Sequence, residues 1–268
     1  MKGQIKYQAW GLLLAAAILT ACSSDVVETA QPKTWHVSIP VDEAVTRSVY
    51  PAGTTLKSKW NSSQPVEAYS GETKVGDLTA SANATGGTTT ITGDVSGTYT
   101  TSSTLTLYSP SKDASYTTQD GTVDGTNGIS SKDYLTATVN VTAVNGSSGL
   151  LSTSRAAFSR LQSFTKFTFT EAVHSVVISA SDMDAITVTA ESGDQTDFYV
   201  ALPLAGSVEY TFVATTATNI VYYGRKQGNL THGRYYTASV DLLKELDVTA
   251  TISSWGDDET LPSGDLPF

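Results

Sequence analysis

Apolar residues in this chain recur at every second position, in short runs separated by turn residues, and nowhere at a sustained helical spacing. That restricts the chain to sheet structures. Trp35, Val37, Ile39 and Val41 alternate with small or polar residues, and the segment Phe164-Thr165-Lys166-Phe167-Thr168-Phe169 is read as a further alternating strand. Val66 to Tyr69 is a short run before a turn, and further strands are expected at 88–91, 104–108, 134–141, 176–179, 186–190, 198–204, 208–213, 220–223, 235–242 and 248–255. Gly71-Glu72, Gly86-Gly87, Gly93-Asp94 and Ser96-Gly97 read as turns, 111–133 as a loop, 144–152 as a turn-rich connection and 155–161 as a helical turn. The stretch 78–108 is mostly Thr, Ser and Gly. It is read as sheet and not as linker, because threonine is β-branched. Pro40 has no amide hydrogen, which puts the first strand at a sheet edge or puts Pro40 at the strand's end. Short strands at such regular spacing predict an all-β protein of two tandem β-sandwiches, Greek-key in type. The N-terminal domain is expected over 34–171 and the C-terminal domain over 172–268.

The chain has one cysteine, Cys22, and its surroundings explain it. Lys2 and Lys6 precede an apolar run from Trp10 to Leu19, then Leu19-Thr20-Ala21-Cys22. A basic start, a short apolar run and small residues make a secretory signal, here 1–21; the apolar run falls short of the ~20 residues that span a bilayer. Leu-Thr-Ala-Cys resembles the bacterial lipobox, which implies cleavage before Cys22 and acyl chains on the new N-terminus. The thiol would carry the lipid thioether. Residues 22–33 are polar and contain Pro32, a tether between lipid and body. With Cys22 lipidated no thiol remains, so disulfides and cysteine metal sites are excluded.

The net charge is −10, and losing Lys2 and Lys6 makes it −12. Such a chain repels nucleic acid and anionic headgroups, so membrane contact must come through lipid. Catalytic chemistry is not evident. His36, His174 and His232 belong to no zinc-binding helical pair, and there is no Gly-x-Ser-x-Gly elbow. Asp182 and Asp184 are two apart and would share a face on a strand, although a polar turn accounts for them. Asp120-Gly-Thr-Val-Asp124-Gly faintly resembles a calcium loop, but position 131 is Ser where a bidentate Glu is needed. Trp35, Trp60 and Trp255 could stack on sugars; core or edge packing is the simpler role. No cofactor and no metal is expected, and the chain does not read as an enzyme.

Landmarks in order resemble the fimbrillin-like (Mfa-like) lipoproteins of Bacteroidales. After the lipobox come Asp25, similar to an export signal, and Thr46-Arg47-Ser48 beyond the first strand. Then follow Thr106-Leu107-Tyr108-Ser109-Pro110, Asp133-Tyr134-Leu135, and Phe158 with Phe164-Thr165-Lys166-Phe167, where the family's histidine is missing. Tyr199 to Pro203, Gly233-Arg234-Tyr235-Tyr236 and Ile252-Ser253-Ser254-Trp255 complete the series. The resemblance implies transthyretin-like sandwiches, a place in a surface fimbrium, and proteolytic processing at Arg47 that removes the first strand. The vacated groove would accept a neighbouring subunit's strand. Arg155, in Ser-Arg-Ala, is a second possible cut site. After Trp255 only Leu261, Leu266 and Phe268 are large and apolar, a weak donor strand, which favours a tip or accessory subunit. The alternative is an outer-membrane-anchored surface lipoprotein that binds a glycan or host ligand without polymerising.

Overall fold

A computed structural model describes residues 33–42, 49–52, 55–58, 60–81, 89–243 and 259–260. The first half of the chain contributes β1 (Thr34–Pro40), β2 (Val49–Ala52), β3 (Thr55–Ser58), β4 (Gln64–Ser70), β5 (Thr73–Ala80), β6 (Thr90–Ser96), β7 (Thr104–Ser109), β8 (Thr118–Gln119), β9 (Leu135–Asn145), β10 (Leu150–Thr153) and β11 (Ser159–Arg160). The second half contributes β12 (Ser163–Val173), β13 (Ser175–Ser179), β14 (Ile186–Thr189), β15 (Gln195–Leu202), β16 (Gly206–Thr215), β17 (Val221–Leu230), β18 (Arg234–Val240) and β19 (Glu259–Thr260). The protein is all-β, as expected. Among the described residues the one helical element is a short 3₁₀ turn, Ile129–Lys132.

The N-terminal half departs from two facing sheets. Its strands run β10-β1-β6-β5-β4-β7-β9, and β10 pairs again with β9, so the sheet closes into a seven-stranded barrel. The closing strand is β10, in a stretch expected to be a turn-rich connection. β9 is longer than expected, and Leu151, buried on β10, supplies the apolar anchor. Residues 155–161 do not form a helical turn either; β11 returns to the edge of β9, pairing Ser159 with Thr136. Inward residues of all seven strands build one core, with Trp60, Tyr99 and Phe158 filling it.

Closure decides between the two places that Pro40 left open for the first strand. β1 is not an edge: it pairs antiparallel with β6 along seven residues and parallel with β10 at His36 and Val37. Pro40 sits at its last position, where the missing amide hydrogen costs no ladder bond on the β10 side. Gly93-Asp94, expected as a turn, lies inside β6. Gly93 has φ +154, and a Cβ there would meet Leu78 Cδ2 at 2.8 Å, so the glycine serves a close strand crossing.

In the second half, β15-β12-β18-β19 forms one sheet and β17-β16-β13-β14-β8 another. Their inward faces share a core of Phe167, Phe169, Phe198, Phe212, Tyr210 and aliphatic residues, with Phe167 and Phe212 rings at 5.0 Å. Residue 171 lies within β12, whose partners β15 and β18 both belong to this half. β8 comes from the first half yet joins the second half's sheet, pairing parallel with β14.

Candidate functional site

Cys22 and Arg47, the two residues expected to be chemically modified, lie outside the described residues, as does Trp255. The structure does describe the strand between them. Alternation puts Trp35, Val37, Ile39 and Val41 on the barrel's inner face, at 5%, 0%, 0% and 1% exposure. His36 and Ser38 face out. The Trp35 indole donates to the Gly97 carbonyl at 2.9 Å, and Lys33 Nζ lies 4.4 Å over its ring. β1 is thus a seven-residue apolar rib wedged between β6 and β10.

Its exit is tied down separately. Pro40 accepts from the Ala156 amide at 2.8 Å, and the Asp42 amide donates to the Ala156 carbonyl at 2.9 Å. Arg155 Nε donates to Asp42 Oδ1 at 2.5 Å, and a terminal guanidinium nitrogen donates to the Val41 carbonyl at 2.8 Å. Arg155 could be recognised in the sequence as an arginine beside small residues. Its contact with Asp42 joins residues 113 apart and has no sequence signal.

The other sequence candidates do not converge. His36 pairs with Asp94 across β1 and β6 at 3.0 Å and is exposed. His174 contacts the Gly193 carbonyl and His232 the Pro203 carbonyl. Asp182 and Asp184 lie in the turn between β13 and β14, not on a strand; they edge a cavity of about 190 Å³ with Tyr116 and Met183. Asp120 is spent on its own loop. Its Oδ1 accepts from the Thr122 amide and hydroxyl, and its Oδ2 from the Asn127 amide at 2.8 Å. Among the described residues no group of three His, Cys, Asp or Glu could hold a metal. Trp60 is 2% exposed and packs edge-on against Phe158 at 5.3 Å, so it offers no sugar platform.

A buried polar network, which the sequence did not suggest beyond Asp133 in Asp-Tyr-Leu, ties residues 116–134 to β11 and to the residue before β12. Asp133, 0% exposed, accepts from Arg160 Nε at 3.0 Å and from Gln162 Nε2 at 2.8 Å. Gln162 Oε1 accepts from the Tyr116 hydroxyl and the Tyr134 amide. Burial first, then the neighbouring Tyr134 and Asp133, pushes the Tyr116 phenol well above its usual range, so it stays a neutral donor. Lys226 is also fully buried, and desolvation holds its ammonium below the usual lysine range.

Neither a family model nor a curated protein matches this chain. Solved structures do. The tip fimbrial protein Mfa3 from Porphyromonas gingivalis, C-terminally truncated, is 10% identical, with 78% of this chain and 95% of that one covered and a TM-score of 0.37. A Bacteroides eggerthii protein named for cell adhesion is 10% identical, with 79% and 87% covered and a TM-score of 0.37. A fimbrial protein from Bacteroides ovatus is 9% identical, with 78% of this chain and 49% of that one covered and a TM-score of 0.36. These three are named as fimbrial or cell adhesion proteins.

Proposed function

We propose that this chain is a structural or adhesive subunit of a cell-surface fimbrium, of the fimbrillin-like kind, exported as a lipoprotein on Cys22. Cleavage after Arg47 removes β1 together with the lipid, and a strand from a neighbouring subunit replaces β1. The observation that carries this reading is β1 itself. It is N-terminal to Arg47, and it fills a slot between β6 and β10 whose edges would be left free by its departure. Four buried apolar side chains at about 1.5–3 kcal/mol each, with backbone bonds at about 1 kcal/mol net each, make such a slot a strong acceptor for a strand of the same pattern. β-Augmentation gives affinity through the backbone and register through the pockets. The strand to be donated onward would lie within 248–255, or be absent in a tip or accessory subunit. Until Arg47 is cut, acyl chains at roughly 0.8 kcal/mol per buried methylene hold the precursor on the outer membrane.

The alternative, a surface lipoprotein that binds glycan without polymerising, is disfavoured because Trp35 and Trp60 are both committed to packing. The test is made on cells. Protein from the surface should begin at Ser48 and run as SDS-resistant ladders, and Arg47→Ala should leave acylated Cys22 at the N-terminus and abolish the ladders. Acylated monomers in both strains would overturn the fimbrial reading.

A further inference from the structure

Ala156, the residue after Arg155, is held through both its amide and its carbonyl by the end of β1 and the residues that follow it. The Ala156 amide donates to the Pro40 carbonyl, and the Ala156 carbonyl accepts from the Asp42 amide. The Arg155 guanidinium is engaged by the Asp42 carboxylate and the Val41 carbonyl. Ala156 is 0% exposed. An arginine-directed endoprotease needs the guanidinium free to enter its pocket and the flanking backbone free to pair as an added strand. Residues 40–42 occupy both. They lie upstream of Arg47 and would leave with the first strand.

We infer that Arg155–Ala156 is a second processing site, shielded by β1 and uncovered when β1 departs. The inference rests on the reading that Arg47 is cut and deepens it. At the site, water adds across the Arg155–Ala156 amide, leaving a carboxylate on Arg155 and an amine on Ala156. The cut falls between β10 and β11, after every strand of the barrel. A donated strand that follows the path of β1 restores the bridge at Ala156 and covers the bond. An opened subunit that receives no strand is therefore open to a second cut, and a filled one is not.

The experiment digests the full chain with a purified arginine-specific endoprotease and reads fragments by mass. In Arg47→Ala the Arg155–Ala156 bond should persist. Adding Asp42→Asn, which keeps size and removes charge, should speed its cleavage about two- to fivefold, the worth of one half-exposed ion pair. Adding Arg155→Lys should abolish that fragment. In wild type cut at Arg47 and freed of the released segment, cleavage should be about a hundredfold faster than in Arg47→Ala, because two backbone bonds are lost as well. A synthetic peptide of residues 32–47 should suppress it. Equal rates at Arg155 in Arg47→Ala, in Asp42→Asn/Arg47→Ala and in the cut wild type would overturn the shielding. If wild type yields no fragment beginning at Ser48, processing at Arg47 fails, while the Asp42→Asn comparison still decides whether residues 40–42 protect the bond.

Discussion

Gln119 imitates a strand residue toward Ala201. Its side-chain Nε2 donates to the Ala201 carbonyl at 2.9 Å, and its Oε1 accepts from the Ala201 amide at 2.8 Å. The pair joins β8 to the outer edge of β15, and it is 2% exposed on the glutamine side. Gln119→Leu keeps the volume but leaves both backbone groups of Ala201 buried without those partners. The expected loss is about 2–6 kcal/mol, at 1–3 kcal/mol for each of the two orphaned groups, read as a lower urea midpoint at unchanged slope.

Trp60 and Phe158 meet edge to face inside the barrel. Trp60→Ala should cost about 3–5 kcal/mol through lost burial and the cavity left behind. Chemical denaturation measures it. A glycan-binding role for Trp60 would instead predict near-wild-type stability and lost binding.

Glu67 gathers donors on the outside of β4. Lys74 Nζ lies 2.8 Å from Oε1, and the Lys112 amide donates to Oε2 at 2.8 Å, with the Tyr69 hydroxyl beside it. Burial by itself would raise the carboxyl's pKa, but the hydrogen bonds and the Lys74 charge outweigh it and hold it below the usual range. A folded pKa below the unfolded one gives stability that is present above the unfolded value, near 4.3, and lost as pH falls through the folded one. Glu67→Gln should therefore cost about 1–2 kcal/mol at pH 7, and should flatten the acid limb of a melting-temperature profile below about pH 5. An unchanged acid limb would refute this assignment.

The sequence foretold most strands, because alternation is local: a residue pair such as Val37 and Ile39 must share a face in any sheet. The failures have local causes too. Gly93 was read as a turn because glycine marks turns, yet here it is needed where β6 crosses Leu78. The stretch 144–152 reads as a connection because the buried anchor of β10, Leu151, sits among glycines and serines. Of the candidate site, Trp35 to Val41 was legible and Arg155 was visible as an arginine. Its engagement with Asp42 was not, since that partner is fixed by where β10 leaves β9.

The sequence by itself determined the class of structure, the two faces of each strand and the presence of a single cysteine. Those follow from side-chain period and residue chemistry, which act over a few positions. Only the tertiary structure decided that the first sheet closes, that β1 is interior and not at an edge, and that Arg155 is held by the end of β1. Closure depends on β10 finding β1 across more than a hundred residues. No short-range pattern encodes that pairing; it is selected because it satisfies two free strand edges at once and buries one continuous core.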